Sequence, residues 1–470
     1  MKIRPLSDIK VCRSIIVANG VAQAVVLWKI FRKDMIRIKS ILFFTLIAIT
    51  VKAQDDTKLW SLHDCINYAL EHNIQVKKSK VSKFSGDEDL QQAKAQMFPS
   101  LSAGVSQNYT NYPSSDVSTN NSYGGSYNLS ANWRLFDGGR RVNNIKQSEI
   151  RQDVNDLLIQ QSENDIRLAI IQAYMQVLYA KESVRTNENT VAVSKAQRDR
   201  GEEFLRAGSV SRVDVAQLES QFSSDKYRLV ASQTNLDNYI LQLKQLLELD
   251  ITSEIVVGMP ELTVDNIMAP LPDKETIYFI ALSVMPEVKN SELNINIAEL
   301  EIKKARAGLL PSLSMNAALS SGHSSGMDIG FGSQMWDRMN ENIGLTLSIP
   351  IYSNRDNKTA INKAKLASIS SELDMINTQK QLLKTVESIC LDAVSAQNQY
   401  LAAIEQVKYA EESYNLIEQQ FSLGMKNTIE LLTAKNDFLN AQQSLLQAKY
   451  MAAMSIQLLN IYQNKPVDEI

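Results

Sequence analysis

Proline is missing where a chain of this size would normally carry it. None of the ten prolines falls between Pro113 and Pro260, or between Pro350 and Pro466. Proline breaks helix interiors, so these stretches can be helical over unusual lengths. Cysteine is scarce: Cys12, Cys65 and Cys390 are the only three. Two distant thiols in the body of the chain do not make a disulfide scaffold, and Cys65 and Cys390 are expected to be free rather than bridged. Histidine is limited to His63, His72 and His323. His63 and His72 do not share a helix face at ligand spacing, and there is no H-E-x-x-H, C-x-x-C or P-loop. The sequence thus offers no catalytic residue, metal site or cofactor site of a known pattern. The net charge of −3 implies no polyanion and hence no nucleic-acid partner. Beyond Ala53 no run reaches the roughly 18 apolar residues of a membrane helix.

The N-terminal region carries a targeting signal. Met35-Ile36-Arg37-Ile38-Lys39 is a basic start, Ile41 to Ile49 is an apolar core, and Val51-Lys52-Ala53 reads as a cleavage site. This pattern predicts a secretory signal peptide over 35–53. Residues 1–34 then precede the signal, either as an upstream extension or as part of a longer leader. Neither Cys65 nor Cys390 follows an apolar run as a lipid-bearing cysteine would.

The chain repeats itself. Phe98-Pro99-Ser100-Leu101-Ser102 returns as Leu310-Pro311-Ser312-Leu313-Ser314, an offset of 212 residues (311 − 99). Ala207-Gly208 returns as Leu423-Gly424, and Asp214 as Glu430, an offset of 216 (430 − 214). Such a duplication sets the architecture. The halves are expected at 54–258 and 273–463, with a proline-containing linker over 259–272 and a tail over 464–470. Each half reads as helix, strand, polar loop, strand, very long helix, glycine, long helix. Ala, Leu, Gln, Glu and Lys fill the proline-free stretches, as helices require. Val407, Ala410, Tyr414, Ile417 and Phe421 form a coiled-coil seam; Ile145, Ile150, Val154, Leu157 and Leu158 form a rougher one. The long helices are expected from about Arg140 to Arg206 and from about Asp356 to Ser422, each on the order of 100 Å. Each turns at a glycine, Gly208 or Gly424. Shorter helices return to about Leu249 and Tyr462.

Strands are expected over about 99–112, 122–137, 311–321 and 341–353. Tyr123, Tyr127, Leu129, Ala131, Trp133 and Leu135 alternate with small or polar residues. So do Leu313, Met315, Ala317 and Leu319, and so do Ile343, Leu345, Leu347, Ile349 and Ile351. This fits a half-buried strand or a membrane-barrel strand. The faces opposite are small and uncharged apart from Arg134. The segments between paired strands, 113–122 and 320–340, read as polar surface loops. Four strands cannot close a barrel, and an open edge in lipid leaves backbone groups unpaired. The barrel must be shared between chains, and three chains are the fewest that leave a pore.

From Trp60 to about Tyr462 the chain resembles the TolC family of outer-membrane efflux proteins. The resemblance is carried by Trp60-Ser61-Leu62-His63-Asp64-Cys65, by Phe98-Pro99-Ser100-Leu101 with its repeat, by Leu135-Phe136-Asp137-Gly138-Gly139-Arg140, and by Phe421-Ser422-Leu423-Gly424 through Glu430. It implies a mixed α and β membrane protein: a homotrimer with a twelve-stranded barrel in outer-membrane lipid, continued by a periplasmic α-helical coiled-coil barrel. It also implies an inner-membrane efflux or secretion transporter and a periplasmic adaptor as partners, with the adaptor contacting the hairpin tips at Gly208 and Gly424. In the family, polar links between the two hairpins close the tip. The matching positions are Phe421 and Lys426 facing Val213 and Asp214. Phe421 lacks the hydroxyl, and Lys426 lacks the guanidinium fork, so closure would rest on Lys426–Asp214 attraction and Phe421 packing. Glu430 matches one position of an acidic ring, while Thr433 stands where a second acid would be. Asp214 and Glu430 also suit solvated helix starts, where acids are favoured anyway.

The implied function is a passive outer-membrane duct of a Gram-negative-type cell. A soluble periplasmic coiled-coil scaffold is the alternative. A remote one is a secreted serine hydrolase built on Gly322-His323-Ser324-Ser325-Gly326, although no helical pattern directly follows that match, as such a site needs.

Overall fold

The computed structural model describes residues 59–111, 121–260, 262–325 and 327–466. The signal peptide, the stretch before it, Cys12, most of the 113–122 loop and the end of the tail lie outside the described residues.

The duplication is visible helix by helix. α1 (Leu62–His72) and α2 (Ile74–Ala95) have 11 and 22 residues. After β2 (Ser100–Asn111) and β3 (Asn121–Phe136), α3 (Arg140–Arg206) runs for 67 residues and α4 (Arg212–Leu246) for 35. A short linking region contains β4 (Val256–Val257), parallel to β1 (Leu59–Trp60), and α5 (Val264–Ile267). The second half then repeats the lengths: α6 (Lys274–Val284, 11 residues), α7 (Pro286–Ala307, 22), β5 (Ser312–Ser324), α8 (Phe331–Asp337), β6 (Asn340–Ser348), α9 (Asp356–Ser422, 67) and α10 (Thr428–Tyr462, 35). At 1.5 Å per residue α3 and α9 are each about 100 Å long.

The two long helices run the full length, and the short helices share it between them. Toward the sheet, α2 packs on α3, and α7 lies between α3 and α9. At the far end α4 packs on α3 and α10 on α9. Where α4 ends and α2 begins, the Asn73 side chain donates to Leu246 O at 3.0 Å. The largest apolar core lies around this level. Leu62, Cys65, Ile170, Tyr174, Leu178 and Leu243 are all buried there. The Tyr174 hydroxyl donates to Gly258 O at 3.0 Å and ties the linking region to α3. Among the described residues Cys65 and Cys390 form no disulfide.

β2, β3, β5 and β6 form one antiparallel sheet in that order. Three boundaries differ from expectation. β5 runs on to Ser324, and β6 stops at Ser348, because Pro350 has no N–H for the ladder. The expected polar loop over 320–340 instead contains α8 and exposes Met327, Ile329, Phe331, Trp336 and Met339. Seven residues flanked and interrupted by Gly330 and Gly332 are too short for a helical period to show in the sequence.

The turn from sheet to long helix is built differently in the two halves. Gly138 and Gly139 have φ of 67° and 83°. A Cβ on Gly138 would lie 2.9 Å from Ala307 O, so glycine is needed there for space as well as for conformation. The equivalent residues, 216 positions on, are Asn354 and Arg355, at φ 44° and 69°. Both turns are clamped to the end of the preceding helix: Arg141 donates to Gln96 O at 3.0 Å, and Asn357 to Gly308 O at 2.8 Å.

Candidate functional site

Two regions carry functional geometry: the pair of hairpin tips, and one face of the sheet.

Each tip is a glycine turn followed by a capping box. At the first, Gly208 has φ 75° and the Ser209 N–H closes back on Phe204 O at 2.9 Å. At the second, Gly424 has φ 73° and Met425 N–H reaches Gln420 O at 2.9 Å. The return helices start alike. Asp214 accepts from Ser211 N (3.0 Å) and Ser211 Oγ (2.6 Å), while Ser211 Oγ caps Asp214 N. Glu430 accepts from Asn427 N at 3.2 Å, and Asn427 Oδ1 caps Glu430 N at 2.9 Å. Asp214 and Glu430 are therefore the third residues of two matched capping boxes.

The tips face each other across a cleft of about 710 Å³ lined by Gly208, Asp214, Phe421, Gly424, Lys426 and Thr428, among others. This brings the sequence-predicted residues together, but not in the expected pairs. Lys426 Nζ donates to Glu430 Oε1 at 2.6 Å, one turn along its own hairpin, and the implied Lys426–Asp214 ion pair is not formed within the protomer. Asp214 is instead held well below the usual carboxylate range by the Ser211 hydroxyl and backbone N–H. The buried Thr428 hydroxyl, near it without hydrogen-bonding geometry, contributes further. The Lys426 ammonium and the Asn427 N–H likewise lower Glu430. Phe421 is buried in its own hairpin with Tyr414, Leu431 and Ala434, and Val213 is exposed.

Behind the tips the hairpins are joined by polar links that sequence reasoning missed. Gln197 Nε2 donates to the Tyr414 hydroxyl at 2.8 Å, and burial pushes that phenol up to about 12. Lys435 donates to Asp225 at 2.9 Å with side chains 3% and 0% exposed. Gln221 fills the second Asp225 oxygen at 2.9 Å. Further along, the Tyr450 hydroxyl donates to Glu182 at 2.7 Å, and Gln443 bonds Tyr179. The only sequence signal for these is a polar residue on an otherwise apolar stripe.

On the sheet, directly opposed residues share a face. The register aligns Val105 with Tyr127, Leu129 with Leu319, Trp133 with Met315, and Met315 with Leu345. All the alternating apolar sets thus meet on one face, which is open to the surroundings: Leu101, Val105, Ile343 and Leu345 are 67–74% exposed. The opposite face is serine, asparagine, threonine and glycine apart from Ala318 and Arg134, with Ser102 bonded to Ser130 at 2.8 Å. Aromatics bracket the apolar face. Tyr109 and Tyr123 stand at the end away from the helices. Phe98, Trp133 and Phe136 stand at the helix end, where Trp133 Nε1 donates to Met97 O at 2.8 Å. Ten residues separate Tyr123 from Trp133 (133 − 123). At about 3.4 Å each and a tilt of about 40°, the belts are roughly 26 Å apart, close to the height of an outer-membrane apolar band. Among the described residues no helix is long and apolar enough to cross a membrane. Ser324 of the hydrolase-like match lies in β5, its N–H bonded to Gln334 Oε1 at 2.7 Å.

Comparison with known proteins places this geometry in a group. The family described as outer membrane efflux protein matches residues 65–248 and 278–462, one segment in each half. The outer membrane efflux protein BepC of Brucella suis is 23% identical over 407 residues, covering 86% of this chain and 85% of that protein. The outer membrane protein TolC of Escherichia coli is 23% identical over 392 residues, covering 80% and 77%. In fold, the chain is similar to a crystal structure of CusC at TM-score 0.72, with 17% identity, covering 87% of this chain and 95% of that one. The open-state MtrE outer membrane channel of Neisseria gonorrhoeae gives 0.71, with 17% identity, covering 86% and 88%.

Proposed function

The chain belongs to the outer membrane efflux protein family, and from that premise we propose that it works as a homotrimer whose twelve-stranded barrel and helical tunnel form one continuous duct. It is an outer-membrane conduit for efflux or secretion, not an enzyme. The observation that supports the trimer is the sheet itself. β2 and β6 are edge strands of a four-stranded sheet whose apolar face is exposed. In lipid both edges must be paired, which β6 of one copy and β2 of the next would do. Three copies close twelve strands and put the serine- and asparagine-rich face on the lumen. The alternative of a soluble scaffold would leave the same face in water, a patch far larger than a soluble surface tolerates.

The tunnel continues through the helices to the tips, where the gate resides in Asp214, Phe421, Lys426 and Glu430. The turns at Gly208 and Gly424 meet a periplasmic adaptor, which couples the duct to an inner-membrane pump. Energy comes from the pump, and the chain itself supplies passage and a gate. The test is the native mass and the planar-bilayer conductance of one detergent-extracted preparation. A conducting trimer is expected; a monomer without conductance overturns the reading.

A further inference from the structure

The segment between β5 and β6 exposes a large apolar surface beside its charges. Gln334 is turned inward, while Asp328, Ser333, Asp337 and Arg338 stay exposed. Gln334, 5% exposed, accepts from Ser324 N–H at 2.7 Å and donates to Ile329 O at 2.7 Å. It thereby satisfies an N–H of β5 beyond the point where β6 pairing ends at Ser320. The Ser321 hydroxyl donates to Met335 O. Phe331 meets His323 edge-on at 4.9 Å, and His323 in turn lies against Tyr123 and Tyr127. The apolar side chains are turned outward: Met327, Ile329, Phe331, Trp336 and Met339 are all exposed, Trp336 at 74%.

The placement of α8 matters as much as its composition. By register, Ser321 and His323 belong to the same face as Leu319, Tyr127 and Leu129. α8 therefore folds onto the apolar face, at the level of the aromatic belt farthest from the helices. Its exposed apolar side adjoins that face at its edge, where Ser321, His323 and Glu341 share the face with Leu319.

We infer that Met327–Met339 is an interfacial anchor, with α8 lying in the headgroup–acyl boundary of the outer leaflet and Trp336 inserted into it. This rests on the reading of the apolar face as lipid-facing. Aromatic and aliphatic side chains on a short element parallel to the surface bury about 5–10 Å into that boundary. Gln334 and Ser321 latch the element to the barrel wall, so that insertion fixes the height and rotation of β5 and β6 against lipid.

The test uses Trp336 as the only tryptophan, with Trp28, Trp60 and Trp133 changed to Phe. The protein is reconstituted in phosphatidylcholine nanodiscs with or without brominated acyl chains. A Leu345→Trp variant without any native tryptophan reports the centre of the strand face. Both probes are expected to lose about half their emission in brominated lipid and to resist iodide. If Leu345→Trp is quenched by lipid and Trp336 by iodide alone, the anchor is overturned and the duct reading stands. If Trp336 is shielded from both quenchers, a neighbouring copy covers it and the anchor is again overturned. If neither probe senses brominated lipid, the lipid-facing reading fails and the anchor with it.

Discussion

Arg355 holds a left-handed backbone where its counterpart in the first half is Gly139. A side chain costs about 1–2 kcal/mol in that region, partly offset because glycine loses more entropy on folding. Arg355→Gly is expected to raise stability by about 0.5–1 kcal/mol, read as a higher denaturant midpoint at unchanged slope. Gly139→Arg should do the reverse. Asp214 offers a second residue-scale test. Its carboxyl titrates below its ordinary value of 3.8 because Ser211 hydrogen-bonds the charged form. A depressed folded value means that its stabilisation is fully present above the ordinary value and is lost as pH falls through the folded one. Amide protection at the start of α4 should therefore be flat at neutral pH and fall only below about pH 4. In Asp214→Asn this acid-side step should disappear. A step that persists in the variant would assign the protection to another group.

At the scale of the helix, the two hairpins solve one packing problem in opposite ways. In the first, Gly201 on α3 receives Leu218 of α4; a Cβ on Gly201 would lie 2.5 Å from Leu218 Cδ1. At the equivalent places in the second hairpin stand Ile417 on α9 and Ala434 of α10, both at the same apolar cluster. Large and small have changed sides, and the second pair is larger by one methylene. Leu218→Ala should cost about 2–5 kcal/mol, and Gly201→Ile about 1–3 kcal/mol by overpacking. The double variant reproduces the second hairpin and is expected to recover most of both losses in a double-mutant cycle. The Lys435–Asp225 pair couples the hairpins in a different way. Lys435→Met strands a buried carboxylate and should cost about 3–5 kcal/mol, while Lys435→Met with Asp225→Leu should be near neutral. Helix lengths were legible in the sequence because proline-free stretches and two glycines mark them, and the apolar sheet face because alternation has a period of two. The polar links were not. Which residues of two 67-residue helices meet depends on rotation and axial offset accumulated over about 100 Å, and the Lys426–Asp214 expectation failed within the protomer because Glu430 lies one turn away on the same chain. The Asn354-Arg355 turn was hidden because neither residue type announces a positive φ as glycine does.

For the whole molecule, gating and selectivity in the proposed trimer would depend on whether the tip charges of its three copies are paired or free. Glu430 is paired with Lys426 within the chain, so three copies of the tip in the proposed trimer would present three neutralised carboxylates rather than a bare acidic ring. A ring of paired charges has a weak field, whereas bare carboxylates attract cations. Lys426→Ala should then do two things in a planar bilayer: raise the leak through the closed trimer, and shift its reversal potential in a salt gradient further toward the cation value. Lys426→Arg keeps the charge and adds a fork able to reach a second carboxylate; leak should stay at or below that of the unaltered protein. The two measurements separate the roles. A selectivity change without a leak change would mean that Lys426 tunes the field of Glu430 but holds nothing closed. Closure would then rest on the contacts that do bridge the hairpins, Gln197 with Tyr414 and Lys435 with Asp225. These links sit behind the tip, inside each protomer. A gate built on them would have to open by moving the paired hairpins as one body about their neighbours, because parting them would expose a buried ion pair at a cost of several kcal/mol.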